Sequence, residues 1–120
     1  MDSLAGFRVF IVEDEALLLL ALQDLLADLG CQIAASAAQL HMALDLADKV
    51  ACDVAVLDIN IGHDRVDAVA DILAQRGVPF IFATGYGDQG VPARHRSVPL
   101  IEKPYDGDSL RDALIRILKM

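Results

Sequence analysis

The chain has 120 residues, 55% of them hydrophobic and 23% charged, and its 18 acidic against 10 basic side chains give a net charge of −8. That length is one globular domain with enough apolar material for a core, which excludes intrinsic disorder and leaves no room for a second domain within these residues. The acidic excess argues against nucleic acid or an anionic membrane as partner, and suits a cation or a basic protein surface.

The longest apolar run, residues 16–22, is seven residues long. A membrane-spanning helix needs about 20. The opening Met-Asp-Ser does not begin a basic-then-apolar leader. A cytoplasmic location is therefore expected. Cys31 and Cys52 lie at the edges of apolar runs, without metal-ligand spacing. They read as reduced, partly buried thiols.

In chain order, short apolar runs alternate with stretches of helical period. Residues 7–12 are β-branched and aromatic, and predict a strand. Residues 16–29 predict a helix closed by Gly30. Residues 31–35 form a short strand. Ser36 is expected to cap a second helix reaching about Lys49, with Gln39 completing a capping box. Residues 54–57 are an apolar run that ends at Asp58, and residues 64–75 predict a helix stopped by Gly77. Residues 79–83 and 99–102 are strands, with Pro79 tolerated at a first position. Residues 108–118 form the last helix, capped by Asp106 or Asp108.

Strands apolar on both faces and separated by helices belong to a parallel sheet covered on both sides. Five of them, joined by right-handed crossovers, predict an α/β, flavodoxin-like doubly wound sheet of order 2-1-3-4-5. One repeat is defective. Residues 85–98 carry three of the eight glycines and Pro92. Glycine costs about 1 kcal/mol inside a helix and proline about 3 kcal/mol. The fourth helix is therefore expected to be short or absent, and this segment the most mobile of the molecule.

In such a sheet the site lies beyond the carboxyl ends of the strands, between strands 1 and 3. Strand 1 ends in Glu13, Asp14 and Glu15, and strand 3 in Asp58. The topology alone brings these carboxylates together. Like charges about 4 Å apart repel by about 4 kcal/mol at an effective dielectric of 20. Hard oxygen ligands with an open coordination sphere suit Mg²⁺. Strands 4 and 5 end at Thr84 and Lys103. A hydroxyl and an ammonium beside a divalent cation form a cradle for a phosphoryl group, and an aspartate placed there can attack phosphorus.

The four segments VEDE (12–15), VLDIN (56–60), ATG (83–85) and EKPYD (102–106), in this order and spacing, resemble a response-regulator receiver domain over the whole chain. The resemblance implies that Asp58 is the phosphoacceptor. It implies that Glu13, directly or through water, and Asp14 hold Mg²⁺, with the backbone carbonyl of Asn60 completing the protein ligands. It implies that Thr84 and Lys103 bind phosphoryl oxygens, that Lys103 pairs with Asp58 beforehand, and that the Lys103-Pro104 peptide is cis. The nonapeptide PFIFATGYG (79–87) is similar to the signature of the FAT GUY receivers of alphaproteobacteria. Those are often single-domain proteins associated with histidine kinases of the HWE or HisKA2 type. The chain departs from the common receiver pattern at Leu100, three residues before Lys103, where an aromatic is usual. Tyr86 is the candidate to replace that aromatic in the switch.

His41 and His63 read as surface residues, and the basic run at residues 94–96 as a solvated patch or a partner contact. On the first helix, Leu18, Leu22, Leu25, Leu26 and Leu29 share one face at 100° per residue, whereas Leu17 and Leu20 fall in the polar arc. Those two leucines are the candidate docking strip for a helical partner, a histidine kinase or a histidine phosphotransfer protein.

The expected function is a phosphorelay receiver, phosphorylated on Asp58 in a Mg²⁺-dependent reaction. Output would pass through protein contacts, or the domain would act as a phosphate shuttle or sink. It is not expected to be an enzyme beyond catalysing its own aspartyl phosphorylation and dephosphorylation, and a monomer is expected. One alternative is a phosphorylation-independent adaptor. The other is a Mg²⁺-dependent phosphohydrolase, disfavoured because Asn60 stands where an acid/base aspartate would be needed.

Overall fold

The computed structural model describes residues 4–85 and 90–119. The elements are β1 (Arg8–Val12), α1 (Ala16–Asp28), β2 (Gln32–Ala37), α2 (Leu40–Ala47), β3 (Val54–Asp58), β4 (Asn60–Ile61), β5 (Asp64–Arg65), α3 (Asp67–Gln75), β6 (Phe80–Thr84), a 3-10 turn (Ala93–His95), β7 (Leu100–Glu102) and α4 (Gly107–Leu118). The main sheet has the order β2-β1-β3-β6-β7, with every adjacent pair parallel. Counted by its five strands alone, this is the expected 2-1-3-4-5. Among the described residues, no helix is long and apolar enough to cross a membrane.

The alternation of side chains along each strand splits the core into two halves. Phe10, Leu57, Phe80 and Phe82 pack against Ala43 and Ala47 of α2 and Val69, Ala70 and Leu73 of α3. Ile11, Val56 and Ile81 pack on the other face against Leu22 and Leu26 of α1 and Leu110 and Leu114 of α4. Each fully buried Leu, Ile or Phe contributes about 1.5–3 kcal/mol. β1, β3 and β6 therefore hold the site from the middle of the molecule, where both faces are covered. Both cysteines are free thiols, Cys31 buried and Cys52 partly so.

Helix α1 ends where expected, with Gly30 at a φ of +90°. A Cβ there would sit 3.0 Å from the Ala5 Cα, so glycine serves both the turn and the close approach. Asp106, not Asp108, caps α4, accepting from the backbone N–H groups of Asp108 and Ser109.

Three local expectations are corrected. Ser36 does not cap α2. It lies inside β2, which continues to Ala37 because Ala37 pairs with Val12 and accepts a hydrogen bond from the Glu13 N–H. The cap position falls on Gln39, which makes no side-chain cap bond. Residues 64–66 are not helical. They return along Asn60–Ile61 as the hairpin β4–β5, turning at Gly62 with a φ of +62°. The helical stripe becomes buried only from Val66 onward, so nothing pulls the preceding residues into α3. On α1, Leu19 packs against the core cluster and Leu18 is not part of it.

The fourth-helix region is short, as expected. Among its described residues, one 3-10 turn replaces the helix. Arg94 and Arg96 of the basic run are exposed, as a solvated patch requires, but Arg94 and His95 are also tied to α3. The Arg94 guanidinium donates two hydrogen bonds to Asp71 of α3, at 2.8 and 2.6 Å, and His95 Nε2 lies 2.9 Å from the same carboxylate. The His95 ring packs edge-on against Phe80, centroids 5.3 Å apart. Only Arg96 of the three lacks such an attachment to α3. Tyr86 lies outside the described residues.

Candidate functional site

Four strand ends converge beyond the sheet. Glu13 and Asp14 follow β1, Asp58 is the last residue of β3, Thr84 the last of β6, and Lys103 follows β7. Carboxylate oxygens of Glu13, Asp14 and Asp58 all lie within 4.8 Å of one another. Beside them opens a cleft of 270 Å³ lined by Asp14, Glu15, Asp58, Asn60, Gly62, Gly85 and Lys103. A wider groove of 630 Å³ runs along β7 and α4, but the acidic cluster does not line it. Chemistry, not volume, marks the site.

The Lys103 ammonium ties the cluster together. It lies 2.6 Å from Asp58 Oδ2 and 3.1 Å from Glu13 Oε1. Burial works against its charge, yet Asp58 and then Glu13 hold its pKa above the ordinary lysine value. Burial pushes the Asp58 carboxyl up to about 7, with the Glu13 charge adding to the rise and Lys103 opposing it. Asp14 behaves differently. Its partial burial would raise it, but the hydrogen bond from the Gly62 N–H, at 2.8 Å, helps to hold it below the usual carboxylate value. The hairpin thus contributes a backbone donor to the acidic rim, and the Asn60 N–H reaches Asp58 Oδ1 at 3.3 Å.

Glu13 is fully buried, at 0% exposure. Its oxygens accept from Lys103, from the Glu15 N–H at 3.1 Å and from the Tyr105 hydroxyl at 2.7 Å. It does not line the cleft, whereas Asp14, Asp58 and Asn60 do. Glu15 occupies the position before α1 without a side-chain cap bond. Thr84 is 2% exposed, and Gly85 beside it forms the cleft wall. Its carbonyl accepts from the Lys103 N–H at 2.9 Å, so β6 and β7 fix the lysine's backbone. The Lys103-Pro104 peptide is cis, as expected. Leu100 pairs with Phe82 and packs against the α2–α3 half of the core. Leu17 and Leu20 stand out on α1 at 81% and 56% exposure, while His41 and His63 are exposed.

Tyr105 was missed by the sequence reading. It sits in the EKPYD segment, two residues after Lys103, but 92 residues separate it from its partner Glu13. A phenol is an aromatic with a polar handle that finds a partner when buried. The only sequence signal was a tyrosine beside the lysine of the site.

A doubly wound sheet with an acid cluster, a lysine and a threonine at its carboxyl edge defines a receiver-type signalling domain. The family model of the response regulator receiver domain matches residues 9–115, and the chain belongs to that family. It is 27% identical over 117 residues to the transcriptional regulatory protein PdtaR of Mycobacterium tuberculosis, covering 94% of this chain and 57% of PdtaR. Two alphaproteobacterial proteins are similar in structure. SdrG from Sphingomonas melonis Fr1 is 34% identical with a TM-score of 0.84, covering 96% of this chain and 98% of SdrG. Its BeF3-activated conformation gives 35% and 0.79 over the same shares. The PhyR receiver domain of Erythrobacter litoralis is 32% identical with a TM-score of 0.76, covering 97% of this chain and 92% of that one. The protein is thus a response-regulator receiver domain of two-component signalling.

Proposed function

We infer that the chain accepts a phosphoryl group on Asp58 from a phosphohistidine of a kinase or phosphotransfer protein. The observation that carries this reading is the meeting of three carboxylates with Lys103 at 2.6 Å from Asp58. Asp58 Oδ attacks phosphorus, the bond to the donor imidazole nitrogen breaks, and the electron pair stays on that nitrogen. Lys103 stands where it can hold a phosphoryl oxygen once the group arrives. Thr84, at the next strand end, is the hydroxyl candidate for another.

The donor set fits magnesium, a hard cation that takes carboxylate, carbonyl and water oxygens. Asp14, Asp58 and the Asn60 carbonyl would hold it from the cleft, with Glu13 behind them reaching it through water. Bound there, it would offset the carboxylate charge and that of the phosphoryl oxygens. SdrG supports this reading, since one of its structures is of a BeF3-activated conformation. The exposed Leu17 and Leu20 offer an apolar strip beside the cleft for a helical donor. Output then passes through protein contacts or onward transfer of the phosphoryl group.

Incubation with acetyl phosphate and Mg²⁺ tests the reading. A hydroxylamine-sensitive label on Asp58 is expected, and it should vanish in Asp58→Asn. Absence of the label, or unchanged labelling of Asp58→Asn, would exclude it. An adaptor that keeps only the fold would show no Mg²⁺-dependent amide shifts at Asp14, Asp58 and Asn60.

A further inference from the structure

Tyr105 lies outside the cleft lining, yet it makes the shortest hydrogen bond to Glu13, at 2.7 Å. Glu13 is fully buried. A buried carboxylate must be supplied with donors, or it costs several kcal/mol. Glu13 has three, namely the Glu15 N–H, the Tyr105 hydroxyl and the Lys103 ammonium. Lys103 is shared. It stands at 2.6 Å from Asp58 but only at 3.1 and 3.2 Å from the two oxygens of Glu13. The lysine therefore leans towards the nucleophile, although a second carboxylate within reach competes for it.

We propose that Tyr105 is a positioning residue that keeps Lys103 on Asp58, by satisfying Glu13 with a neutral donor. Remove the hydroxyl, and Glu13 Oε1 retains only the lysine. The ammonium is mobile on its four-carbon stem, and is then drawn from Asp58 towards Glu13. The phenol suits this role because it donates without adding a charge. Burial and the adjoining Glu13 both push its ionisation up, so it remains a donor across the working pH range. This inference rests on the phosphoacceptor role of Asp58 only in its kinetic consequence. The hydrogen-bond geometry is a separate matter.

The test is Tyr105→Phe, which keeps the ring and removes one oxygen. In cation-free protein with ¹³C-labelled carboxyl groups, the Glu13 Cδ and Asp58 Cγ resonances are both expected to shift. Amides remote from Glu13, Asp58 and residues 103–106 should stay in place. Labelling by acetyl phosphate at saturating Mg²⁺ is expected to slow about tenfold, the scale typical of losing an outer-shell partner. In a Glu13→Gln background, where the competing charge is gone, the same substitution should change the rate less than about twofold. Unmoved carboxyl resonances, or an equal slowing in both backgrounds, would overturn the proposal. If wild-type protein takes no label, the phosphoacceptor reading fails, while the resonances still decide the placement of Lys103.

Discussion

The acidic rim and the β6–β7 connection lie at the same end of the sheet but are held in different ways. The rim rests on β1, β3 and β6, strands buried almost throughout, so each carboxylate is set by its position along a fixed ladder. The described part of the connection has no helix to bury. It is held by the clasp of Arg94 and His95 on Asp71, and by the Arg65 guanidinium donating to the Gly90 carbonyl. The difference shows how one end of a sheet can carry a site on a buried ladder beside a connection held on polar tethers. The two arginines are exposed and such tethers are individually weak, whereas burial at the rim is worth several kcal/mol per side chain.

Phe82 joins the two regions. It is fully buried, pairs edge-on with Phe80 at 5.4 Å, and lies 6.2 Å from the His95 ring. Phe82→Ala should cost about 3–5 kcal/mol in denaturant unfolding. It should also loosen the 3-10 turn. A cost near that of a surface change would mean that the strand is not the support described here.

The buried Asp58 carboxyl makes the rim sensitive to pH. Between pH 3.8 and about 7, native Asp58 holds a proton that the unfolded chain has released. Stability of the cation-free protein should therefore fall as pH rises through that window. The fall should be on the order of a few kcal/mol, because each unit between the two pKa values is worth about 1.4 kcal/mol. Urea midpoints at pH 5 and pH 8 should differ in this sense for the wild type and less for Asp58→Asn. Added Mg²⁺ should shrink the fall by favouring ionised Asp58. A wild-type minus Asp58→Asn difference that does not change with pH would refute it.

The connection should answer to a different residue. Arg94 and then His95 hold the Asp71 carboxyl down to about 2. That stabilisation is present above about pH 4 and lost as pH falls towards 2, and solvent screening keeps it small. Asp71→Ala should leave the global unfolding midpoint nearly unchanged, yet speed amide exchange at His95 and Val98, whose N–H groups close the turn. Exchange that is equally fast in the wild type would show the clasp to be idle. The smallest stability effect is expected on α1. Leu17→Asp and Leu20→Asp should change stability by about 0.5 kcal/mol or less, while slowing phosphotransfer from a kinase and sparing acetyl phosphate labelling. Equal loss with both donors would place the leucines in the fold instead of at a docking strip.

The parallel order, the two covered faces and the four strand ends of the site were legible in the amino-acid sequence. Each depends on local apolar runs and on which residue follows them, and sheet topology turns those into neighbours. The weak fourth helix was legible for the same reason, because glycine and proline act locally. Tertiary structure alone decided the rest. The hairpin that brings the Gly62 amide to Asp14, the clasp on Asp71 and the phenol on Glu13 join residues 48, 23 and 92 positions apart. No local period encodes such pairs. Ser36 shows the converse, a good cap by local pattern that was taken into β2 because pairing with β1 outweighed it. Local propensity is worth tenths of a kcal/mol to about one, and buried pairing across the sheet exceeds it.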